Sequence, residues 1–385
     1  MGHLFIMLGL MLHAAIYSVP KQSTLEPVAL KNYALIKYPV VDLFGSATFP
    51  DGPLPASTRT HVICPRINQG LFNEVFEIEQ VGPHSTAIII PWAIYGYDSS
   101  GKPQNRYWVA TKNLLTLSAI PTQYLKEIPL FNSSKNNITL KRPFSAPDGV
   151  TYSIGTQFAL KRHDASYAYV SCFDTVTAQV KEYAIPKSRC IMHEKNSRLT
   201  GRQKFIQLLT GFIDEVQQHF PKNTIAYIWG GSSFTRSYTP EYYEDASGFH
   251  RTEQDTGPLS GYDCSNLVLR FAHMAHVPYY FKTTSMLEKY GKKFTDSDIL
   301  QEGDLIWLQG HVVIISNLAD TLVTESCGYE NFVGKVQTIR LSQLLKGINT
   351  WQDLLDAYRH NKPVMRLDAH GNNYKESPVK IFKLI

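Results

Sequence analysis

The chain has 385 residues, of which 43% are hydrophobic and 18% are charged, a balance typical of globular proteins with a buried core. The net charge of +5 is small for this length, and no basic cluster or aromatic-basic motif accompanies it, which argues against a nucleic-acid partner. The five cysteines are widely spaced without a CxxC pair, so we expect no disulfide scaffold, no metal and no other cofactor.

The N-terminal segment is apolar from Leu4 to Ser18 and is followed by Pro20 and Lys21. This run is short for a membrane span, and it resembles a secretory signal peptide that lacks the usual positive start. We therefore predict a signal peptide over residues 1–19, which implies an exported protein, periplasmic or secreted, without stable membrane insertion. A buried N-terminal helix is the alternative.

Short β-like runs separated by turn residues occupy the chain from about residue 30 to residue 190. Examples are TAIIIPWAIYGY and YAYVSCF. Many short strands with frequent turns are typical of small barrels or sandwiches. A polar stretch from Leu130 to Asn137 divides the region. The pattern predicts two small all-β modules, over residues 30–128 and 135–195.

Helical periodicity begins near residue 200 and indicates a different kind of domain. Apolar residues recur at helical spacing from Phe205 to Phe220, and Pro221 should end that helix. The β runs DLIWLQGHVVIIS and TLVTES follow, and then one more helix within LSQLLKGINTWQDLLDAY and a terminal hairpin. Helices followed by antiparallel strands predict an α+β domain over residues 200–385 that includes a C-terminal extension.

The stretch GYDCSNLVLRF places Cys264 at the first turn of an amphipathic helix. A helix N-terminus carries partial positive charge and unpaired N–H groups, both of which stabilise a thiolate. Cys264 is therefore a candidate nucleophile. The commoner alternative is a buried, inert cysteine.

A cysteine nucleophile needs a base, and the base needs an orienting group. His311 begins an apolar strand, and the next strand can pair with it around the turn NLAD. One register places Glu325 opposite His311, where its carboxylate would hold the imidazole. A slip of one residue would present Thr324 and Ser326 instead, so both registers stay open.

The stretch AYIWGGSS adds a third element. Gly230 and Gly231 permit a tight turn or a close backbone approach. Tyr227 and Trp229 should lie on one face of a strand, at the edge of a cleft. The alternative is that both are core aromatics.

Four motifs then occur in a characteristic order: AYIWGG, YDCSNLV, EGDLIWL and GHVVII. Over roughly residues 200–340 the chain resembles the NlpC/P60 cysteine peptidases. The resemblance implies a papain-like α+β catalytic domain, preceded by two small SH3-like barrels of the bacterial SH3-type kind. It also implies hydrolysis of cell-wall (peptidoglycan) stem peptides, usually at the bond between D-γ-glutamate and a diamino acid such as diaminopimelate.

Carried onto this sequence, the resemblance implies that Cys264 is the nucleophile, that His311 is the base and that Glu325 is the third polar residue. Together with the expected cleft edge, it predicts five substrate-binding residues: Tyr227, Trp229, Asp263, Ser265 and Thr283.

The sequence departs from the family pattern in three places. Asn266 stands where a glycine is usual, and Thr283 stands where members that trim free stem peptides often carry an acid. An insert from Ser232 to Tyr262 has five acidic residues against two arginines, a net charge of −3. We predict that this insert borders the cleft and disfavours highly anionic peptides.

The resulting prediction is a monomeric, exported thiol protease whose partners are peptidoglycan stem peptides or muropeptides. Two alternatives share the fold. One is a papain-like acyltransferase or deamidase with the same thioester chemistry, and the other is a non-catalytic wall-binding protein.

Overall fold

The computed structural model describes residues 29–50, 54, 64–131, 137–174, 177–192, 199–219, 225–236, 259–328 and 332–384. The predicted signal peptide lies outside the described residues. So does most of the insert between Ser232 and Tyr262, namely residues 237–258.

The first β region forms a seven-stranded antiparallel sheet with a small separate pair. Its strands are β1 (Tyr33–Ile36), β2 (Val40–Phe44), β3 (Arg66–Leu71), β4 (Val75–Val81), β5 (Ser85–Ile89), β6 (Gly96–Tyr97), β7 (Pro103–Gln104), β8 (Arg106–Ala110) and β9 (Leu114–Thr116). The order across the sheet is β3-β2-β8-β5-β4-β1-β9, and β6 pairs with β7. Burial alternates along β8, as expected of a strand with one face on a core.

The second β region forms a five-stranded antiparallel sheet and a further pair. Its strands are β10 (Asn137–Leu140), β11 (Phe144–Ser145), β12 (Thr151–Tyr152), β13 (Gln157–His163), β14 (Tyr167–Asp174), β15 (Gln179–Pro186) and β16 (Cys190–Met192). The order is β15-β14-β13-β10-β16, with β11 against β12. In neither region do the end strands of the sheet pair with each other among the described residues. The two closed SH3-like barrels are therefore not confirmed.

The C-terminal part combines helices with a five-stranded antiparallel sheet. Its helices are α1 (Gly201–His219), α2 (Cys264–Met274), α3 (Thr284–Tyr290), α4 (Leu341–Leu344) and α5 (Trp351–Arg359). Its strands are β17 (Ser232–Ser233), β18 (Gly261–Tyr262), β19 (Leu305–Leu308), β20 (His311–Asn317), β21 (Leu322–Ser326), β22 (Val336–Arg340), β23 (Val364–Leu367), β24 (Asn373–Ser377) and β25 (Val379–Phe382).

The main sheet runs in the order β22-β21-β20-β19-β25. The predicted mixture of helix and sheet is confirmed, and the predicted helix around Phe205 corresponds to α1. In the described part of the chain no helix is both long and apolar enough to cross a membrane.

The C-terminal extension differs from its prediction in one respect. The single helix expected over residues 341–358 is two helices, because Gly347 adopts a left-handed φ of +74° between them. Thr350 then caps α5, where its side chain accepts a hydrogen bond from the Asp353 N–H. The terminal hairpin forms as β23 and β24, while β25 continues past it and pairs with β19.

One hydrophobic core joins the first β region to the helices and to the main sheet. It contains Ile36 and Tyr107 from the first sheet, Phe205 from α1, Phe271 from α2 and Trp307 from β19. A second core lies between the main sheet and helices α4 and α5, and a third lies within the second β region. The first β region therefore contributes directly to the packing around α2.

A buried ion pair strengthens the same junction. Arg270 in α2 is 1% exposed, and its Nη1 donates to Glu74 Oε1 at 2.6 Å. Its Nε donates to the Ser232 carbonyl at 3.0 Å, and its Nη2 donates to the Gln69 carbonyl at 3.1 Å. Each of the three guanidinium nitrogens thus has a hydrogen-bond acceptor, which is the condition under which a buried charge is tolerated.

Replacing Arg270 should destabilise the fold strongly. Arg270→Met leaves Glu74 without its partner, and we expect a loss of about 3–5 kcal/mol in the free energy of unfolding, measured by urea denaturation. The matched control is Arg359→Met, whose partner Asp296 is 91% exposed, and it should change stability by less than about 1 kcal/mol. Equal losses in the free energy of unfolding would show that the buried pair of Arg270 and Glu74 stabilises the fold no more than an exposed ion pair does.

Candidate active site

Helix α2 begins at Cys264, and Asp263 caps it. Asp263 Oδ1 accepts a hydrogen bond from the Asn266 N–H at 2.6 Å. Its Oδ2 accepts from the Gly230 N–H at 3.0 Å and pairs with Lys282 Nζ at 3.0 Å. The carboxylate is buried and fully engaged inside the protein, so it fixes the helix start on which Cys264 lies.

The residues after Cys264 are also buried. The Ser265 hydroxyl lies 3.9 Å from Cys264 Sγ. Asn266 is fully buried, and its Nδ2 points back toward Asp263 Oδ2 at 3.5 Å. The departure from glycine at this position is therefore accommodated by a side chain that turns toward the cap.

His311 lies at the start of β20, next to α2 and beside Glu325. Its Nε2 is 2.7 Å from Glu325 Oε2, and the other carboxylate oxygen, Oε1, accepts from Gln337 Nε2 at 2.8 Å. Since Nε2 is directed at the carboxylate, Nδ1 is the nitrogen available to the Cys264 thiol, whose pKa His311 lowers. The arrangement is a thiol, an imidazole and a carboxylate in sequence, as nucleophilic catalysis requires.

The hairpin register differs from the one predicted. Ile314 pairs with Thr324 and Ile315 with Val323, and an irregularity follows before Asn317. Continuing this register places Glu325 opposite Val313, two residues from the predicted position. Because side chains alternate with a period of two, a displacement of two residues keeps Glu325 on the face of His311. The slip of one residue is not observed.

The electrostatics of the three groups favour their charged forms. Burial opposes the Cys264 thiolate, but the hydrogen bond and charge of His311 outweigh it, and the thiol pKa is lowered. Burial and the nearby charge of Arg366 lower the pKa of His311, whereas Cys264 and Glu325 raise it, and the net shift is upward. Burial raises the pKa of Glu325, but hydrogen bonds to His311 and Gln337 bring it below its usual value.

Tyr227 and Trp229 do not share one strand face. The chain turns at Gly230, where the Gly231 N–H donates to the Ile228 carbonyl at 2.7 Å. Tyr227 is buried, and a Cβ added at Gly328 would lie 3.7 Å from its ring, whereas Trp229 lies in the turn and is 42% exposed. The turn separates the two aromatic residues that the sequence pattern grouped together.

Glycine is required at this turn. Gly230 has a φ of +69°, and a Cβ on it would lie 2.5 Å from the carbonyl oxygen of Arg66 in β3. The Arg66 Nε donates to the Trp229 carbonyl at 2.7 Å, so β3 holds the turn from both sides. The first β region thus supports the segment that meets Asp263.

Thr283 caps helix α3, and its Oγ1 accepts from the Met286 N–H at 3.3 Å. The residue before it, Lys282, is the one that reaches Asp263. Sequence reasoning missed Lys282, Gln337 and Arg366. Gln337 is the cross-strand partner of Glu325 in β22, so recognising that third strand would have revealed it.

Within the described residues, no three His, Cys, Asp or Glu side chains are grouped to hold a metal ion. None of the five cysteines forms a disulfide, and four of them are buried: Cys64, Cys172, Cys190 and Cys327. Burial raises the thiol pKa of each of these four, to about 12 for Cys172.

Comparison with solved structures finds NlpC/P60 neighbours. A NlpC/P60 family protein from Bacillus cereus ATCC 10987 gives a TM-score of 0.50 at 14% sequence identity, over 80% of this chain and 94% of that chain. NlpC2 from Trichomonas vaginalis gives a TM-score of 0.33 at 10% identity, over 92% and 98% of the two chains. NlpC1 from the same organism gives 0.33 at 11% identity, over 92% of each chain.

No protein-family model matches the chain, and no curated protein matches it. The likeness to the Bacillus cereus protein shows a shared fold.

The lowered thiol pKa can be measured directly. We expect the rate at which iodoacetamide alkylates Cys264 to reach half of its maximum at a pH below that typical of a free thiol, because His311 stabilises the thiolate. His311→Ala should move that midpoint to higher pH, since the effect of His311 that outweighs burial and the charge of Asp263 is then lost. Alkylation is followed by mass spectrometry as a function of pH, and Cys264→Ala, in which only buried thiols remain, is the control. An unchanged midpoint in His311→Ala would contradict the assignment.

Proposed function

We propose that the protein is a cysteine endopeptidase that hydrolyses peptidoglycan stem peptides at the D-γ-glutamyl–diamino acid bond. The observation that carries the proposal is the buried contact of 2.7 Å between His311 and Glu325, next to a thiol at a helix N-terminus. The shared NlpC/P60 fold supports the choice of substrate class, in agreement with the four sequence motifs.

In the proposed mechanism, the Cys264 thiolate attacks the carbonyl carbon of the glutamyl group. The backbone N–H of Cys264 lies in the first turn of the helix, where N–H groups have no partner within the helix, and together with Tyr227 it stabilises the oxyanion. The imidazolium of His311 then donates its proton to the leaving amine, and the C–N bond breaks to give a thioester.

Hydrolysis of the thioester completes the cycle. His311, now neutral, accepts a proton from water, the resulting hydroxide attacks the thioester carbonyl, and the thiolate leaves. Glu325 holds the imidazole in one orientation and stabilises its positive form throughout, because its own carboxylate is fixed by Gln337. The remaining proposed binding residues are Trp229, which is exposed at the turn, and Ser265, Asp263 and Thr283 around the helix start.

The proposal includes the cellular setting. A wall-peptide hydrolase acts outside the cytoplasm, and the apolar segment at residues 1–19 is consistent with export to the periplasm or the medium. The proposed partners are stem peptides or muropeptides, and the proposed state is a monomer.

The test is incubation of the purified protein with a defined muropeptide and detection of new amines by mass spectrometry. Wild-type protein should release a peptide that begins with the diamino acid, and Cys264→Ala should release none while still binding the muropeptide. If neither protein releases an amine but both bind, the fold serves only to bind the wall. Release of ammonia without chain cleavage would indicate a deamidase.

Substitutions of His311 and Glu325 should lower kcat by different amounts. His311→Ala removes the proton acceptor and donor, and we expect kcat to fall by at least about 1000-fold. Glu325→Gln keeps a hydrogen-bond acceptor in place but removes the charge, so its loss should be smaller. Steady-state kinetics on one muropeptide measure both, and a larger loss in Glu325→Gln than in His311→Ala would contradict the proposed division of roles.

A further inference from the structure

Arg366, in strand β23 of the C-terminal hairpin, is a buried arginine without an acidic partner. It is 7% exposed, and its guanidinium lies 4.6 Å from the centre of the Phe332 ring and 5.8 Å from that of Tyr374. No hydrogen bond or ion pair to its side chain is found among the described residues. Its Nε is fully buried and unpartnered. The two terminal nitrogens are not buried in this way, so they retain access to solvent.

The other buried arginines of the described chain are fully paired. Arg66 binds Asp42 and the Trp229 carbonyl, and Arg270 binds Glu74 and two backbone carbonyls. A guanidinium taken out of water without an anionic partner is energetically costly. Arg366 is therefore the exception, and the two aromatic rings hold its plane in place without neutralising its charge.

The position of Arg366 relates it to the candidate active site. The hairpin that carries it is attached to the turn before His311, where the Gln309 N–H donates to Ser377 Oγ at 2.9 Å. The loop that contains Phe332 also contacts Tyr227, whose N–H donates to the Gly334 carbonyl at 2.9 Å. The charge of Arg366 lowers the pKa of both His311 and Glu325. These contacts place Arg366 on the His311 side of the site.

That side is where the leaving group is expected. His311 delivers the proton to the leaving amine, so the substrate beyond that nitrogen passes next to His311. A planar guanidinium with free terminal nitrogens matches a carboxylate in a two-point contact and distinguishes it from a carboxamide.

We propose that Arg366 binds a free carboxylate on the residue that supplies the leaving amine, so that the enzyme prefers substrates with an acidic leaving residue. The inference rests on the proposed function, since it assigns a substrate group to the same site. Phe332 and Tyr374 keep the guanidinium flat and oriented.

The experiment uses two muropeptides that differ only in the leaving diamino acid, which carries either a free carboxylate or a carboxamide. Wild-type protein should favour the acid in kcat/KM by about 10- to 100-fold, the range for one hydrogen-bonded contact between charged groups. Arg366→Met should remove most of this preference, mainly through a higher KM for the acid. Arg366→Lys should restore part of it. The control is Arg359→Met, an exposed arginine, which should leave the preference intact.

Binding measurements separate this inference from the proposed function. Calorimetry on Cys264→Ala should show tighter binding of the acid, and the double variant with Arg366→Met should lose that difference. If the acid binds better but wild-type protein cleaves neither peptide, the proposed hydrolysis fails and the carboxylate site stands.

Two results would overturn the carboxylate site. One is that the wild type binds the acid and the amide with equal affinity and cleaves them with equal kcat/KM. The other is an equal loss on both peptides in Arg366→Met together with slower iodoacetamide reaction of Cys264, which would mean that Arg366 only supports Glu325.

Discussion

The Asp263 carboxylate connects three segments that are far apart in the sequence. It caps helix α2, accepts the N–H of Gly230 from the WGG turn, and pairs with Lys282 before α3. Helix capping alone would fix the first turn of α2, but the two further contacts also fix where that turn lies. The location of Cys264 relative to the WGG turn and to Lys282 depends on this carboxylate, because it contacts all three segments.

Charges of alternating sign extend outward from this point. In the charged form of the site, Lys282 faces Asp263, the Cys264 thiolate faces the His311 imidazolium, and Glu325 faces His311 on its other side. Each charge lies beside one of opposite sign, which reduces the cost of burying the whole set. Arg366 adds a further positive charge on this side of the site, and it lowers the pKa of Glu325.

The sequence was sufficient for features that depend on local periodicity. Apolar residues spaced three or four apart predicted α1. The start of the next apolar run predicted α2, with Cys264 in its first turn. The face of Glu325 was predicted correctly although its register was wrong by two residues, because a period of two is insensitive to that displacement.

Features that depend on distant contacts were not predictable in the same way. Gln337 reaches Glu325 from a third strand, and Arg366 comes from a hairpin that follows two further helices. Trp229 was grouped with Tyr227 because alternation assumes a continuous strand, whereas the left-handed Gly230 ends it. The closed barrels were expected from strand number and turn spacing, neither of which determines whether the two edges of a sheet meet.

The close contact between Gly230 and Arg66 links a turn and a strand that are far apart in the sequence. No side chain fits at Gly230 while the Arg66 carbonyl lies 2.5 Å from the site of its Cβ, and the Arg66 side chain in turn binds the carbonyl of Trp229. The effect of a substitution at one position therefore depends on the residue at the other, a case of epistasis between strand β3 and the turn beside the nucleophile helix. Variation in the first β region is consequently constrained by the geometry of a site to which it contributes no reacting atom.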